Sequence, residues 1–130
     1  MPLLIEAIPP IGSSAKITQP YLTRSQLVRQ AEEYMLAHLE EPITLKDLCQ
    51  VLNTSSSPLN RGFQDVFGVS PMVYLRQLRL HAIHQILKAA DPTTTQVADV
   101  AQRLGFWHGG RFSQYYQQMF GQPPSTTLKQ

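Results

Sequence analysis

Apolar residues recur three and four positions apart from about residue 25 onward, with polar residues between them, as in amphipathic helices. Pro42, Gly68 and the pair Asp91-Pro92 interrupt this pattern, and each is typical of the end of a helix. Between two of these breaks the pattern runs from Pro71 to Ala90 without interruption. The pattern therefore predicts an all-α protein with one long helix of about twenty residues.

Two shorter helices are predicted ahead of the long one. Thr44 and Asp47 have the spacing of a capping box, in which each residue's side chain accepts a hydrogen bond from the other's backbone. Asn53-Thr54 marks a turn, and Ser55 is placed to cap the helix that follows. The apolar stripe of that helix is predicted to comprise Leu59, Phe63, Val66 and Phe67.

The same arrangement occurs a second time along the chain. Leu48 is matched by Val100, 52 residues further on, and beyond the turn the offset becomes 53, so that Phe63 is matched by Tyr116. One extra residue in the second turn explains the change of offset. The repeat predicts two helix-turn-helix motifs, one on each side of the long helix. They are predicted at about residues 44–67 and 96–120.

This duplication has a geometric consequence. In a helix-turn-helix motif the first helix supports the second, and the outer face of the second enters the DNA major groove. A helix of twenty residues is about 30 Å long, and successive major-groove segments on one face of DNA lie about 34 Å apart. One chain is therefore predicted to place two recognition helices in neighbouring segments of one duplex.

The distribution of charge and the length of the apolar runs indicate which partners the chain can bind, nucleic acid or a membrane. The net charge is +2, with four basic against six acidic residues in 1–60 and seven against three in 61–130. The second half is thus either an ordinary solvated surface or a weakly basic side that faces nucleic acid. Because no apolar run reaches the roughly 18 residues of a membrane span, no membrane partner is expected.

Other compositional features concern location and domain bounds. The single cysteine, Cys49, fits a reducing cytoplasm and is predicted to be a small core residue. Residues 1–22 are rich in proline and lack helical periodicity, so they are predicted to be a tail or the remnant of a linker. They also lack the basic flank and long apolar region of a signal peptide.

The stretch His108-Gly109-Gly110 raises the question of catalysis, since glycine amides can form an oxyanion hole. An acyl-transfer site also needs a nucleophile, and the chain has no G-x-S-x-G elbow. His81 and His84 lie three residues apart, but no further metal ligands cluster with them in sequence. We therefore expect no enzymatic activity and no metal or other cofactor.

Two segments resemble the DNA-binding domain of AraC/XylS-type transcription regulators over roughly residues 24–128. They are "ITLKDLCQVLNTSSSPLNRGFQDVFGVSPMVYLRQLRL" and the more specific "VADVAQRLGFWHGGRFSQYYQQMFGQPP". The resemblance implies a domain of about seven helices over residues 23–130 that binds specific double-stranded DNA sites. It also implies transcriptional activation through RNA polymerase and, in most members, an effector-binding domain ahead of the DNA-binding one.

The predicted DNA-binding residues lie on the outer faces of the two recognition helices. On the first helix they are Ser56, Ser57, Asn60, Arg61 and Gln64. On the second they are Gly109, Gly110, Arg111, Gln114 and Gln118. The resemblance assigns base recognition to the positions of Ser57 and Arg61, which the repeat matches to Gly110 and Gln114. Gly62 departs from the family's bulky residue and lowers helix propensity by about 1 kcal/mol.

Several assignments remain open at this point. The glycine pair either permits close approach to the DNA backbone or makes a tight turn of positive φ. Trp107 and Tyr115 either stack on bases or pack against the long helix. Arg76 and Arg79 either contact phosphate or pair with an acidic residue such as Asp47. The alternative function is a helical protein-interaction module without affinity for DNA.

Overall fold

The computed structural model describes residues 23–130, and all regular secondary structure over this range is helical. The seven helices of this part of the chain are α1 (Arg24–Ala37), α2 (Leu45–Leu52), α3 (Ser56–Phe67), α4 (Pro71–Ala89), α5 (Val97–Arg103), α6 (Gly109–Phe120) and α7 (Pro124–Lys129). The predicted all-α fold of about seven helices is confirmed. None of these helices has the length and apolar character needed to cross a membrane. The predicted tail at residues 1–22 lies outside the described residues.

The described chain forms two compact units. The first comprises residues 23–34 and 44–71, and the second comprises residues 35–43 and 72–130. The first unit contains the helix pair α2 and α3, and the second contains the pair α5 and α6. Each unit therefore includes one of the two repeated motifs.

The first unit has a small apolar core to which all three of its helices contribute. Its buried apolar residues on helices are Leu27, Val28 and Ala31 of α1, Leu48 and Leu52 of α2, and Leu59 and Phe63 of α3. The prediction that Val66 belongs to the core was wrong, since 48% of this residue is exposed. Val66 has the spacing of the buried stripe and lies in the last turn of α3, where Phe67 instead is partly buried, with its ring 5.7 Å from that of Phe63.

Local sequence signals position the helix ends of this unit. The Thr44 hydroxyl accepts a hydrogen bond from the Asp47 amide at 3.1 Å, and the Thr44 amide donates to the Asp47 carboxylate at 2.9 Å. The predicted capping box is thus confirmed. Ser55 occupies the N-cap position of α3 but makes no side-chain capping bond, contrary to prediction. Cys49 is half-buried, so its prediction as a core residue was also wrong.

In each motif, the turn between the two helices contains a residue with a left-handed backbone conformation. Asn53 follows α2 with φ 53°, and Gly105 lies 52 positions later with φ 93°. At Gly105 a side chain would also meet the guanidinium of Arg79, which lies 3.0 Å from the position of a Cβ. The repeat in sequence is therefore also a repeat in backbone conformation, and the second turn requires glycine.

The second unit packs α5 and α6 against α4. Its buried core is formed by Leu80, Ile83 and Leu87 of α4, Val100 and Ala101 of α5, Leu104, and Phe112 and Tyr116 of α6. The phenol of Tyr116 is joined to His84 Nδ1 at 2.7 Å and donates to the Thr127 hydroxyl at 2.9 Å. These bonds link α6 to both α4 and α7.

His84 belongs to this packing. Its ring stacks on Phe120 with centroids 4.1 Å apart, and His81 meets the same ring edge-on at 5.5 Å. Burial lowers the pKa of His84, and the positive charges of Lys88 and His81 lower it further. Both histidines therefore contact an aromatic ring of the second unit.

Two arginines of α4 have structural partners. Arg79 donates to the backbone carbonyl oxygens of Leu39 at 3.1 Å and Glu41 at 2.6 Å. The alternative that these arginines pair with an acidic residue such as Asp47 is therefore wrong for Arg79, whose partners are backbone carbonyls. The guanidinium of Arg76 lies over the ring of Tyr115, 3.9 Å from its centroid, so Tyr115 packs against the long helix.

Candidate nucleic-acid interface

The outer face of α3 presents short polar side chains and one arginine. Ser56, Ser57, Arg61 and Gln64 are exposed, and Asn60 is partly buried. The face lies opposite the buried Leu59 and Phe63 because a helix repeats every 3.6 residues. Hydroxyl, amide and guanidinium groups of this kind form hydrogen bonds with base edges.

One contact on this face orients its arginine. Arg61 Nη1 donates to the Ser57 hydroxyl, one helical turn earlier, at 3.4 Å. The side chain of Ser57 is short, which limits its own reach toward a base. Its hydrogen bond instead makes it a partner of Arg61. Guanidinium groups bind the O6 and N7 acceptors of guanine through two parallel hydrogen bonds.

The single acidic residue of α3 is Asp65, and its charge is balanced within the unit. Its carboxylate forms an ion pair with Arg24 of α1, in which both side chains are about half exposed. The pair reduces the negative charge on the helix without placing that carboxylate in the core. Sequence reasoning missed Arg24 because its partner lies 41 positions away.

Gly62 is buried where α3 approaches α1. A Cβ at this position would lie 2.8 Å from Val28 Cγ2 and 3.5 Å from the carbonyl oxygen of Arg24. The absence of a side chain allows the two helices to come close together. The sequence showed only the cost in helix propensity, whereas the structure shows that Gly62 allows α3 to pack closely against α1.

The outer face of α6 is open and has no bulky side chain in its first two positions. Gly109, Gly110, Arg111, Gln114 and Gln118 are all exposed. A Cβ on either glycine would meet no heavy atom within 4 Å. Positive φ angles occur at Asn53, Gly68, Gly105 and Gly121 among the described residues, and Gly110 is not one of them. The positive-φ alternative for Gly110 is therefore wrong, and the pair forms the first turn of a regular helix.

The start of α6 has features that suit an anionic partner. His108 is its N-cap residue and makes no side-chain capping bond. The first amide groups of a helix lack partners within the helix and carry partial positive charge. The turn and helix over residues 104–120 contain Arg111 and no acidic residue. Favourable electrostatics and open space therefore coincide at this helix start.

Of the two alternatives for Trp107, packing against the long helix is wrong. The residue lies in the turn before α6 and is 63% exposed. It borders a surface cavity of about 500 Å³ whose walls are mainly apolar. The turn before α6 comprises residues 104–108 and is two residues longer than the turn at 53–55 before α3, and the Trp107 indole remains at the surface.

Comparisons with known proteins agree with this geometry. A family model described as a helix-turn-helix domain matches residues 48–130. The crystal structure of a probable AraC family transcriptional regulator from Rhodopseudomonas palustris CGA009 is 37% identical in sequence, with a TM-score of 0.73. The similarity covers 81% of this chain and 96% of that one.

Two curated relatives are longer than this chain. The probable thc operon regulatory protein of Rhodococcus erythropolis is 36% identical over 115 residues, which are 88% of this chain and 35% of that protein. The XylDLEGF operon transcriptional activator of Pseudomonas putida is 30% identical over 98 residues, 75% of this chain and 30% of that protein. The chain thus spans about a third of the length of these relatives. By its repeated motif, its match to the family model and its similarity to a solved member, the chain belongs to the AraC family of helix-turn-helix transcriptional regulators.

Proposed function

We propose that this chain binds specific double-stranded DNA sites and regulates transcription, with α3 and α6 as its recognition helices. The observation that carries the proposal is the repeated motif, in which each second helix buries one apolar stripe and exposes a polar face. α4 has 19 residues, which corresponds to a length of about 28 Å. This length suits recognition helices in successive major-groove segments on one face of the duplex, about 34 Å apart. Such a domain is not an enzyme.

Each recognition helix has a distinct set of contacts in this proposal. On α3, Arg61 and Gln64 have the reach to bind base edges. The shorter side chains bind phosphates or support these two longer ones, and they are Ser56, Ser57 and Asn60. On α6, Arg111, Gln114 and Gln118 supply the side-chain contacts. Gly109 and Gly110 leave room for the DNA backbone to approach the helix amides.

The proposal extends to the regulated process. The relative from Pseudomonas putida is named a transcriptional activator, which supports activation as the outcome of DNA binding. RNA polymerase is then the protein partner, and the protein works in the cytoplasm. An effector-binding domain linked to this one is the further partner in the proposal, and it would control this activity.

Binding can be tested by fluorescence anisotropy with a labelled duplex at several salt concentrations. Neutralising roughly 4–6 phosphates should give a log–log slope of about −4 to −5 between affinity and salt concentration. Few basic residues lie near the two helices, which is why the slope should be modest. If no salt-dependent binding is found, the chain is a helical interaction module and the proposal is wrong.

Sequence-specific recognition requires a second experiment with a site selected from a randomised duplex pool. The variant Arg61→Ala should lose about 1–3 kcal/mol of binding free energy on that site, the range for one good bidentate base contact. It should also accept other bases at one position. Arg29→Ala is the matched control, because it removes the same charge from an exposed position on α1. Equal losses on selected and random DNA would instead make Arg61 a phosphate contact.

A further inference from the structure

Trp107 is the chain's single tryptophan, and its side chain is unusually accessible. The residue is 63% exposed, more than any other large hydrophobic residue of the described chain. Burial of an indole against a partner is favourable, because it removes a large apolar area from water. The position of Trp107, directly before the N-cap of α6, indicates which partner this is.

The surroundings of the indole are apolar on the protein side. The bordering cavity of about 500 Å³ has a mainly apolar lining, with Val97, Ala98 and Ala101 of α5, Phe106, Gly109 and Phe112 around the start of α6, and the polar residues Gln102 and Ser113. Gly109 contributes no side chain, and a Cβ there would meet no atom within 4 Å. The indole therefore lies next to open space at the exposed start of α6.

Charge in this region favours a polyanion over a protein partner. The segment 104–120 contains Arg111 and His108 but no carboxylate. Arg111 is exposed on the first turn of α6. An apolar surface beside the exposed guanidinium of Arg111 matches the sugar-phosphate backbone, in which apolar deoxyribose alternates with anionic phosphate.

The first motif differs at the matching position. The repeat aligns Trp107 with Thr54 and aligns Gly109-Gly110 with Ser56-Ser57. The first recognition helix therefore begins with two hydroxyl side chains after a small turn residue. In the second, the side chains are absent from the helix start and a large aromatic one precedes it.

We propose, on the basis of the function proposed above, that Trp107 is a DNA-contacting residue whose indole packs on deoxyribose at the edge of the major groove. The N-terminal residues of a recognition helix lie closest to the base edges. A residue two positions before the helix start then lies near the backbone that borders the groove. The glycine pair lets the strand come close, and the indole supplies the contact area that the glycines lack.

The first test uses the intrinsic fluorescence of the wild-type chain, which reports on Trp107 alone when excitation is set at the red edge of the indole band, where the five tyrosines do not absorb. Quenching by acrylamide is measured while a selected duplex is added, and anisotropy of a dye on the same duplex records occupancy. We expect quenching to fall in proportion to occupancy. Full occupancy with unchanged quenching would overturn the proposal while leaving DNA binding intact. No occupancy at any salt concentration would overturn both.

The second test compares two exposed apolar residues. Trp107→Ala should bind the duplex at least about fivefold more weakly, the lower end of the range for one aromatic contact to nucleic acid. Its melting temperature should not fall, because the side chain is exposed. Leu36→Ala, which alters a residue on α1 that is 52% exposed, should bind like the wild type. Unchanged affinity of Trp107→Ala, or protection of Trp107 by self-association without DNA, would overturn the proposal.

Discussion

Replacement of Gly62 by alanine tests how closely α3 approaches α1. The new methyl group would lie 2.8 Å from Val28 Cγ2, well inside normal contact distance. Val28 is 2% exposed, and its β-branched side chain has one strongly preferred rotamer in a helix. The methyl group of Val28 therefore cannot turn away, and the helices must separate.

Two opposing terms determine the effect on the free energy of unfolding. Overpacking of a core contact costs about 1–3 kcal/mol, whereas alanine gains up to about 1 kcal/mol in helix propensity over glycine. We expect a net destabilisation of roughly 1 kcal/mol, or about 4–8 °C in melting temperature for a cooperatively unfolding domain of about 60–100 residues. Gly110→Ala is the matched control, because its Cβ meets open space and only the gain in propensity applies.

The overpacking term can be isolated by a double-mutant cycle with Val28→Ala. Removal of the Val28 methyl groups should turn Gly62→Ala from destabilising to stabilising, with a coupling of about 1–3 kcal/mol. Urea unfolding followed by far-UV circular dichroism measures all four proteins. If Gly62→Ala stabilises as much as Gly110→Ala, and does so with or without Val28, the helices are not in close contact at Gly62.

Three further predictions concern the second unit. Gly110→Leu should preserve or raise the melting temperature yet weaken DNA binding at least tenfold, about 1.4 kcal/mol, because a branched side chain would meet the DNA backbone; a stable variant of unchanged affinity would contradict this. Folding lowers the pKa of His84, so on acidification the unfolded state takes up the proton first. The free energy of unfolding should therefore keep its full value above about pH 6.5 and fall as the pH drops toward the folded-state pKa. His84→Gln should flatten this dependence in urea unfolding, and an unchanged profile would assign it to other groups. Arg79→Ala should lower the free energy of unfolding by about 1–3 kcal/mol, since two carbonyl acceptors lose a charged donor. Arg79→Lys should restore only part of this loss, because an ammonium lacks the guanidinium's fork of donors. Full restoration by lysine would indicate that charge alone matters.

Local sequence information was sufficient for α1 to α6 and for the repeat, whereas the count of seven helices came from the family resemblance. A capping box such as Thr44 with Asp47 acts over one helical turn, so its residues are visible together in the sequence. The same is true of the long periodic run, which the structure shows as Pro71–Ala89. The offset of 52 residues also placed Asn53 and Gly105 at equivalent positions, where both adopt left-handed conformations.

The sequence also indicated which faces of α3 and α6 are exposed, because burial of residues such as Leu59 and Phe112 leaves the opposite face to solvent. The sequence did not indicate at which residues of an apolar stripe burial stops, since Val66 belongs to the stripe of α3 by its spacing but is exposed. Whether these exposed residues contact DNA stays a prediction for the binding experiments.

The amino-acid sequence by itself thus determined the helix types, their approximate ends and the repeated motif, since periodicity and capping depend on neighbours within a few residues. Only the tertiary structure decided the contacts between distant residues. It paired Arg24 with Asp65, directed Arg79 to the carbonyls after α1 and brought Gly62 against Val28. It also left Trp107 at the surface. Such outcomes depend on which helices meet and at what distance, and no short-range pattern in the chain records that.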